Sequence, residues 1–589
     1  MDMKTVRRDD KGPKDHEGRE NYDPYPHLWH LFALNVLSGD GFSAEDAHIK
    51  ITGSVWERTD GQGATIALID TGVDYRHPNL LPDGDGKSNK IDLENAVDFA
   101  THPFGAMRII RDRKEKGGRG KRNESKKQEV GGEDEEDSNP HLGGEQDAEC
   151  CILRPEDWDN LKAHLADIDA EPGVVACAQA LSIGTGVQRD VRDYLDLYSG
   201  HGTACAGLAV ADTKVPAGTT HAISDETGSG PITYFGVAPG AKLLPINTSI
   251  DADPKQLVMA LIYALSQRVD VILMPRTASD PIAAYPETPD DFAWPESREE
   301  RSDESRAAWR LFRETLLWVS RQIPVICGSG NGSLQRLSYP AHLAAIGENG
   351  IVAVGALSYK ARRSGYSSYG QGLTLVAPSD DGEVLNRHEM RLDEQDPAFL
   401  HHNFRTVWGE PNPGIREVVD YSPQSILTID VAGPRGYEPG SQQSERDGAL
   451  IDLDRAAMYT TFGGTSAAAA MVAGAVALYA ALEKQLEDAC ATSQYATGDG
   501  PDAANSKDAP DLTRGAAIKR KLRRACVTSF HWPWAAEELR LTPDPVNGPS
   551  DDYMGSQFGS GLLDVSRFLD SVGQPATGEE MGVSKGPAR

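Results

Sequence analysis

This 589-residue chain lacks the means for a disulfide framework. Its 7 cysteines are an odd number at irregular spacings, which fits reduced thiols better than bonded pairs. No pair of Cys-x-x-Cys motifs offers a zinc site, and Cys150-Cys151 carries no pattern beyond adjacency. Basic charge is also short: 59 Lys and Arg face 89 Asp and Glu, for a net −30. Nucleic-acid binding needs a basic footprint, so no nucleic-acid partner is expected, and the acid excess reads first as a source of solubility. The N-terminal stretch Met1-Asp-Met-Lys-Thr-Val-Arg-Arg-Asp-Asp10 has no apolar core, so no secretory signal is visible. The one apolar run approaching membrane length, 467–482, falls short of the roughly 20 residues that span a bilayer. No membrane association and a cytoplasmic location are the expectations.

The chain is long enough for one large core with substantial additions. A hydrophobic content of 39%, with 59 Gly and 36 Pro, implies many turns around that core. Residues 1–45 read as an N-terminal extension that docks a short helix through Trp29, Leu31, Phe32, Leu34 and Val36. The main body runs over 46–572, and 573–589 form a polar C-terminal tail. Within the body, insertions are expected near 101–190, 278–303 and 380–425. The first contains a polyampholyte stretch, 108–137, too poor in apolar groups to order itself. It also contains helix-like spacing through Trp158, Leu161, Leu165 and Ile168, followed by a short apolar run from Val174 that reads as a strand.

Beyond His201 the pattern becomes regular. Strands are predicted at 241–248, 270–274, 324–327, 350–355 and 373–378, and helices at 254–268, 304–322 and 514–527. An earlier strand, Gly61-Gln-Gly-Ala-Thr-Ile-Ala-Leu-Ile-Asp70, is a continuous apolar run ending in an acid. Uninterrupted apolar strands alternating with helices imply a mostly parallel, doubly wound α/β sheet with helices on both faces and large loop insertions.

Phe462-Gly-Gly-Thr-Ser466 leads into the Ala-rich run, which should be a helix without a polar face and therefore buried. A serine there sits among unpaired backbone N–H groups, where the helix dipole favours developing negative charge. By itself this fits a helix cap as readily as a nucleophile. Two further segments place an acid and an imidazole in comparable settings: Asp70 at the end of its strand, and His201 in Ser199-Gly-His-Gly-Thr-Ala-Cys-Ala-Gly207. A serine hydroxyl needs a base to become nucleophilic, and the base needs a carboxylate to fix its tautomer.

The order Asp-Thr-Gly, His-Gly-Thr, Gly-Thr-Ser resembles that of the subtilisin-like serine proteases (subtilases, peptidase family S8). The resemblance covers roughly 50–570 and includes Val73-Asp74, His77-Pro78, Gly236-Val-Ala-Pro-Gly-Ala, Gly330-Asn331-Gly332 and Tyr339-Pro340-Ala341. It implies a serine endopeptidase acting on protein or peptide substrates, with Asp70, His201 and Ser466 as the triad and Asn331 in the oxyanion hole. It implies no cofactor. A structural calcium ion is compatible with the family, but Asn79 stands where many relatives carry an acid, so no metal is assigned.

Departures from the pattern concern the substrate. Pro275, Arg276 and Thr277 stand where the family has a Ser-x-Gly-Gly-like, backbone-pairing segment, and Pro275 has no N–H to give. Arg276 adds charge at the cleft wall, which allows for an acidic or narrowly defined substrate, and Ser338 is placed near the pocket floor. Cys205, four residues after His201, should share its helix face. Asp70 and His201 lie 131 residues apart, more than in compact relatives, and 108–127 is a candidate for self-cleavage. An alternative use of the same fold is a catalytically restrained binding or scaffold protein, held by an insertion or by a regulatory partner.

Overall fold

A computed structural model describes residues 28–37, 42–45, 48–51, 54–75, 77–81, 90–99, 153–183, 199–212, 234–249, 253–278, 303–381, 426–431, 437, 459–497, 512–531, 538–542 and 553–574. The polyampholyte stretch, the self-cleavage candidate 108–127, most of the second and third insertions and nearly all of the C-terminal tail lie outside these residues.

The apolar runs form a nine-stranded sheet. From one edge its order is Cys526–Val527, Leu562–Leu563, Leu373–Pro378, Ile351–Leu357, Val325–Gly328, Val271–Leu273, Thr65–Asp70, Lys242–Asn247 and Val97–Asp98. Every pairing is parallel except that between the first two strands. Each residue of Val271–Leu273, Val325–Gly328, Ile351–Leu357 and Leu373–Pro378 is buried. Side chains alternate between faces along a strand, so burial at every position means that both faces are covered. This is why the strands read as unbroken apolar runs, and it is the predicted α/β architecture.

Helices Ser199–Val210 and Gly464–Thr497 pack on each other and on central strands, while Pro254–Ser266, Asp303–Gln322 and Arg514–Arg524 form a second packed group. Asp303–Gln322 buries Ala308, Leu311, Phe312, Thr315, Leu316 and Val319 on one stripe, the period of an amphipathic helix. Asp253 caps Pro254–Ser266, its side chain accepting from Lys255 N at 2.8 Å. The N-terminal extension does dock a helix, Trp29–Ala33, all five residues of which are buried. Leu34 O then accepts from Val565 N at 2.8 Å, tying this part of the extension to the helix Val565–Asp570.

Three expectations are corrected. The basic helix read over 514–527 ends at Arg524, and Cys526–Val527 leaves it to pair antiparallel with Leu562–Leu563 at the sheet edge. The run from Val174 is not a strand but part of a helix, Pro172–Ile183. Val174 and Ala178 are buried at a four-residue spacing, and the helix packs on Asp303–Gln322. A short apolar run takes either form, and here a neighbouring helix rather than a sheet edge receives it. The 467–482 run extends further than read, and Gly464–Ala489 is by length and composition able to cross a membrane, yet 94% of its most apolar stretch is buried inside the fold. It is the central core helix.

Candidate active site

The sheet reverses its winding beside Thr65–Asp70, with Lys242–Asn247 on one side and Val271–Leu273 on the other. A crevice opens at the carboxyl ends of strands at such a switch point. Asp70 ends one of these strands, Pro275 follows the next, and Asn331 follows Val325–Gly328. Two helices deliver the remaining groups. His201 is the third residue of Ser199–Val210, and Ser466 the third of Gly464–Thr497.

Asp70 is 1% exposed and its Oδ2 lies 2.8 Å from His201 Nδ1. Its Oδ1 accepts from Thr71 N at 2.7 Å and from Thr71 Oγ1 at 3.2 Å. Burial pushes the Asp70 carboxyl up, but His201, the Arg276 guanidinium and the Thr71 N–H outweigh it and hold the group below the ordinary carboxylate range. An ionised Asp70 accepts only, so the proton between the two sits on Nδ1 and Nε2 is left as the basic nitrogen. The imidazole is 28% exposed and stands edge-on to Phe462, ring centroids 5.6 Å apart. Its helix meets the aspartate segment closely. Gly202 has no room for a Cβ, which would overlap the carbonyl of Gly72, and Thr203 Oγ1 accepts from Asp74 N at 2.8 Å.

Ser466 is 8% exposed. Its backbone N–H is one of the first four of the helix and has no intrahelical acceptor. Its hydroxyl donates to the carbonyl of Pro275 at 2.9 Å, not to His201. Asn331 is exposed, and its Oδ1 accepts from Thr465 N at 2.9 Å and from Thr465 Oγ1 at 3.0 Å. A backbone N–H can only donate, so this contact fixes which end of the amide is oxygen. The Asn331 NH₂ group lies against Gly464, where a Cβ would stand 2.9 Å from Nδ2.

The cleft-wall residues separate. Pro275 is buried, and its carbonyl accepts from the Ser466 hydroxyl. Arg276 is partly exposed and donates from Nη1 to Thr248 Oγ1 at 2.9 Å, while Thr248 N donates to Asp70 O at 2.9 Å. Thr277 is exposed. Ser338 is partly buried, and its N–H donates to Ser329 O at 2.9 Å beside the Gly330-Asn331 turn.

Among the described residues, one group of three possible metal ligands is close-set: Asp70, His201 and Cys205, with ligand atoms all within 4.8 Å. Cys205 is fully buried, and burial, then Asp70, push its thiol well above its usual range. Asp70 and His201 are already bonded to each other, so the trio is a hydrogen-bonded pair with a neutral thiol beside it and does not suit an ion. Asn79 is engaged at both ends of its amide, its Oδ1 accepting from Tyr459 Oη at 2.6 Å and its Nδ2 donating to Asp212 O at 3.2 Å.

Sequence reasoning missed several groups at this site: Thr465 as the clamp on Asn331, and Tyr366, Ser379 and Asp380, which surround Gly464. Tyr366 Oη accepts from Gly464 N at 2.9 Å, and Ser379 Oγ donates to Gly464 O at 2.9 Å. No local sequence pattern marks them.

The subtilase family matches residues 61–493. A calcium-dependent protease of a Nostoc species is 25% identical over 287 residues, covering 47% of this chain and 32% of that protein. An intracellular serine protease of Paenibacillus polymyxa is 27% identical over 192 residues, covering 31% and 44%. Among solved structures, fervidolysin from Fervidobacterium pennivorans, a keratinolytic enzyme related to subtilisin, is 17% identical with a TM-score of 0.38, covering 92% of this chain and 45% of that one. The chain thus spans less than half the length of these three proteins.

Proposed function

The chain belongs to the subtilase family, and on that premise we propose that it is a serine endopeptidase working through Asp70, His201 and Ser466, with Asn331 in the oxyanion hole. The observation that carries this reading is the buried Asp70 carboxylate bonded to His201 Nδ1 at 2.8 Å. That contact fixes the imidazole as a base through Nε2 and stabilises the imidazolium formed when it takes a proton. Ser466 Oγ attacks the substrate carbonyl carbon as its proton passes to Nε2. The resulting oxyanion accepts from Asn331 Nδ2 and from the Ser466 backbone N–H. His201 then gives the proton to the leaving amine, and water, activated by the same base, releases the acyl group. Apart from that water, each role in this mechanism is taken by a side chain or backbone group of the chain.

The substrate is a protein or peptide. Arg276 brings a partly exposed guanidinium close enough to Asp70 to lower its pKa, which favours an acidic side chain near the scissile bond. A cleavage profile over a peptide library tests this, with enrichment of Asp or Glu at one subsite as the expected result and indifference to charge as the contrary one.

A second reading rests on the Ser466 hydroxyl donating to Pro275 O. In it the fold is held restrained, and a regulatory partner or an insertion decides when the hydroxyl turns about χ1 toward His201. Digestion of a denatured protein by the wild type, absent in Ser466→Ala, supports the endopeptidase. A folded wild type that leaves every denatured substrate intact favours the restrained scaffold.

A further inference from the structure

Gly464 precedes the nucleophile by two residues and adopts φ +74°, a left-handed conformation that glycine tolerates. Both of its backbone polar groups are taken by side chains from elsewhere in the chain. Tyr366 Oη accepts from Gly464 N at 2.9 Å, and Ser379 Oγ donates to Gly464 O at 2.9 Å. The two hydroxyls are themselves 2.7 Å apart. Behind them is Asp380, 1% exposed, whose Oδ1 accepts from Tyr366 Oη at 2.5 Å and lies 3.4 Å from Gly464 N. The same carboxylate fills the space over Gly463, where a Cβ would overlap it. On the next peptide, Thr465 N donates to Asn331 Oδ1.

The turn that carries Ser466 is therefore held from two sides. One side is the Asn331 contact. The other is a buried phenol, hydroxyl and carboxylate that no step of the proposed mechanism uses. Burying so many polar groups costs free energy unless each is bonded, and a turn needing only to start a core helix does not require them. Burial, then Asp380, push the Tyr366 phenol well above its usual range, so it stays a neutral donor.

We propose that Tyr366, Ser379 and Asp380 are positioning residues for the hydrolytic step, clamping Gly464 so that the Ser466 N–H and the Asn331 NH₂ converge on one oxyanion. This rests on the endopeptidase reading and adds to it the group that sets the oxyanion geometry. The clamp touches neither substrate nor the reacting atoms, so its loss acts on turnover rather than on substrate binding. Misplacing a reacting group by about 1 Å costs up to about 100-fold in rate.

The test uses Tyr366→Phe, which keeps the ring, and Ser379→Ala, which removes the donor to Gly464 O and the hydroxyl beside Tyr366 Oη. Steady-state cleavage of an oligopeptide, second-order phosphonylation by a fluorophosphonate and thermal unfolding are measured on the full chain, with active-site concentration fixed by titration. The expected result is a fall of about tenfold in both kcat and phosphonylation rate, with KM within about twofold of wild type. If kcat and phosphonylation stay within about twofold of wild type in both variants, whatever the change in Tm, the residues are structural only and the proposal is overturned. A wild type that the fluorophosphonate does not label overturns the endopeptidase reading itself, an outcome seen before any variant is compared.

Discussion

Thr465 donates both its backbone N–H and its hydroxyl to Oδ1 of Asn331, at 2.9 and 3.0 Å, and that hydroxyl also accepts from Gly330 N at 3.1 Å. The amide is held at its oxygen end so that its NH₂ end can donate. Asn331→Ala is expected to lower kcat by about 10²–10³, the loss found on removing such a donor from a subtilisin, with KM little changed. Steady-state kinetics on a peptide substrate check this. A KM that rises with kcat intact would instead make Asn331 a ground-state binding residue.

Asp70 carries a pH signature. Its native pKa is depressed, so its contribution to stability is complete above the unfolded carboxylate value of about 3.9 and is lost as pH falls through the lower native value. In a Ser466→Ala background, which prevents self-digestion, Asp70→Asn should be less stable than its parent near neutral pH. Urea unfolding from pH 7 to pH 2 should show that gap narrowing only below about pH 4. A gap independent of pH over that range would mean that the carboxylate charge is not what the fold uses.

Cys205 lies on the same helix as His201, with its sulfur within 4.8 Å of the ligand atoms of His201 and Asp70. A mercurial bound there crowds the imidazole, and activity is expected to fall at least about tenfold, since small displacements of a catalytic group are costly. Cys205→Ser should keep its activity through the same treatment. Mass analysis showing mercury on Cys205 with activity unchanged would contradict the placement.

Gly202 sets the approach of the histidine helix to the aspartate segment. Adding a Cβ drives it into the carbonyl of Gly72, and backbone cannot swing aside as a flexible side chain does. Gly202→Ala is expected to destabilise by about 1–3 kcal/mol, as overpacking in a tight interior does, and to lower kcat by moving His201. A calorimetric Tm equal to that of wild type would show that the two segments have slack.

The central strands of the sheet were legible because burial on both faces makes each an apolar run, whereas Val97–Asp98, Cys526–Val527 and Leu562–Leu563, two residues each, leave no run to read. The settings of Asp70, His201 and Ser466 stood out because small residues flank them and leave a short local signature, and Asn331 was singled out through the resemblance to the subtilases. The helix Pro172–Ile183 was not legible, since its helical form is settled by packing on Asp303–Gln322 rather than by its own period. Tyr366, Ser379 and Asp380 reach Gly464 from 98, 85 and 84 residues away, and nothing local in a serine, a tyrosine or an aspartate announces such a meeting. The part played by Pro275 was hidden for another reason. Its missing N–H is the feature visible in the sequence, whereas its carbonyl makes the contact with Ser466.

The central claim is that Ser466 is a nucleophile activated by His201. Its most direct test is incubation of the full chain with a fluorophosphonate, followed by intact-mass measurement and peptide mapping. One phosphonyl adduct is expected, located on Ser466, absent from Ser466→Ala and strongly slowed in His201→Ala. A folded wild-type protein that acquires no adduct, or acquires it on another residue, would contradict it.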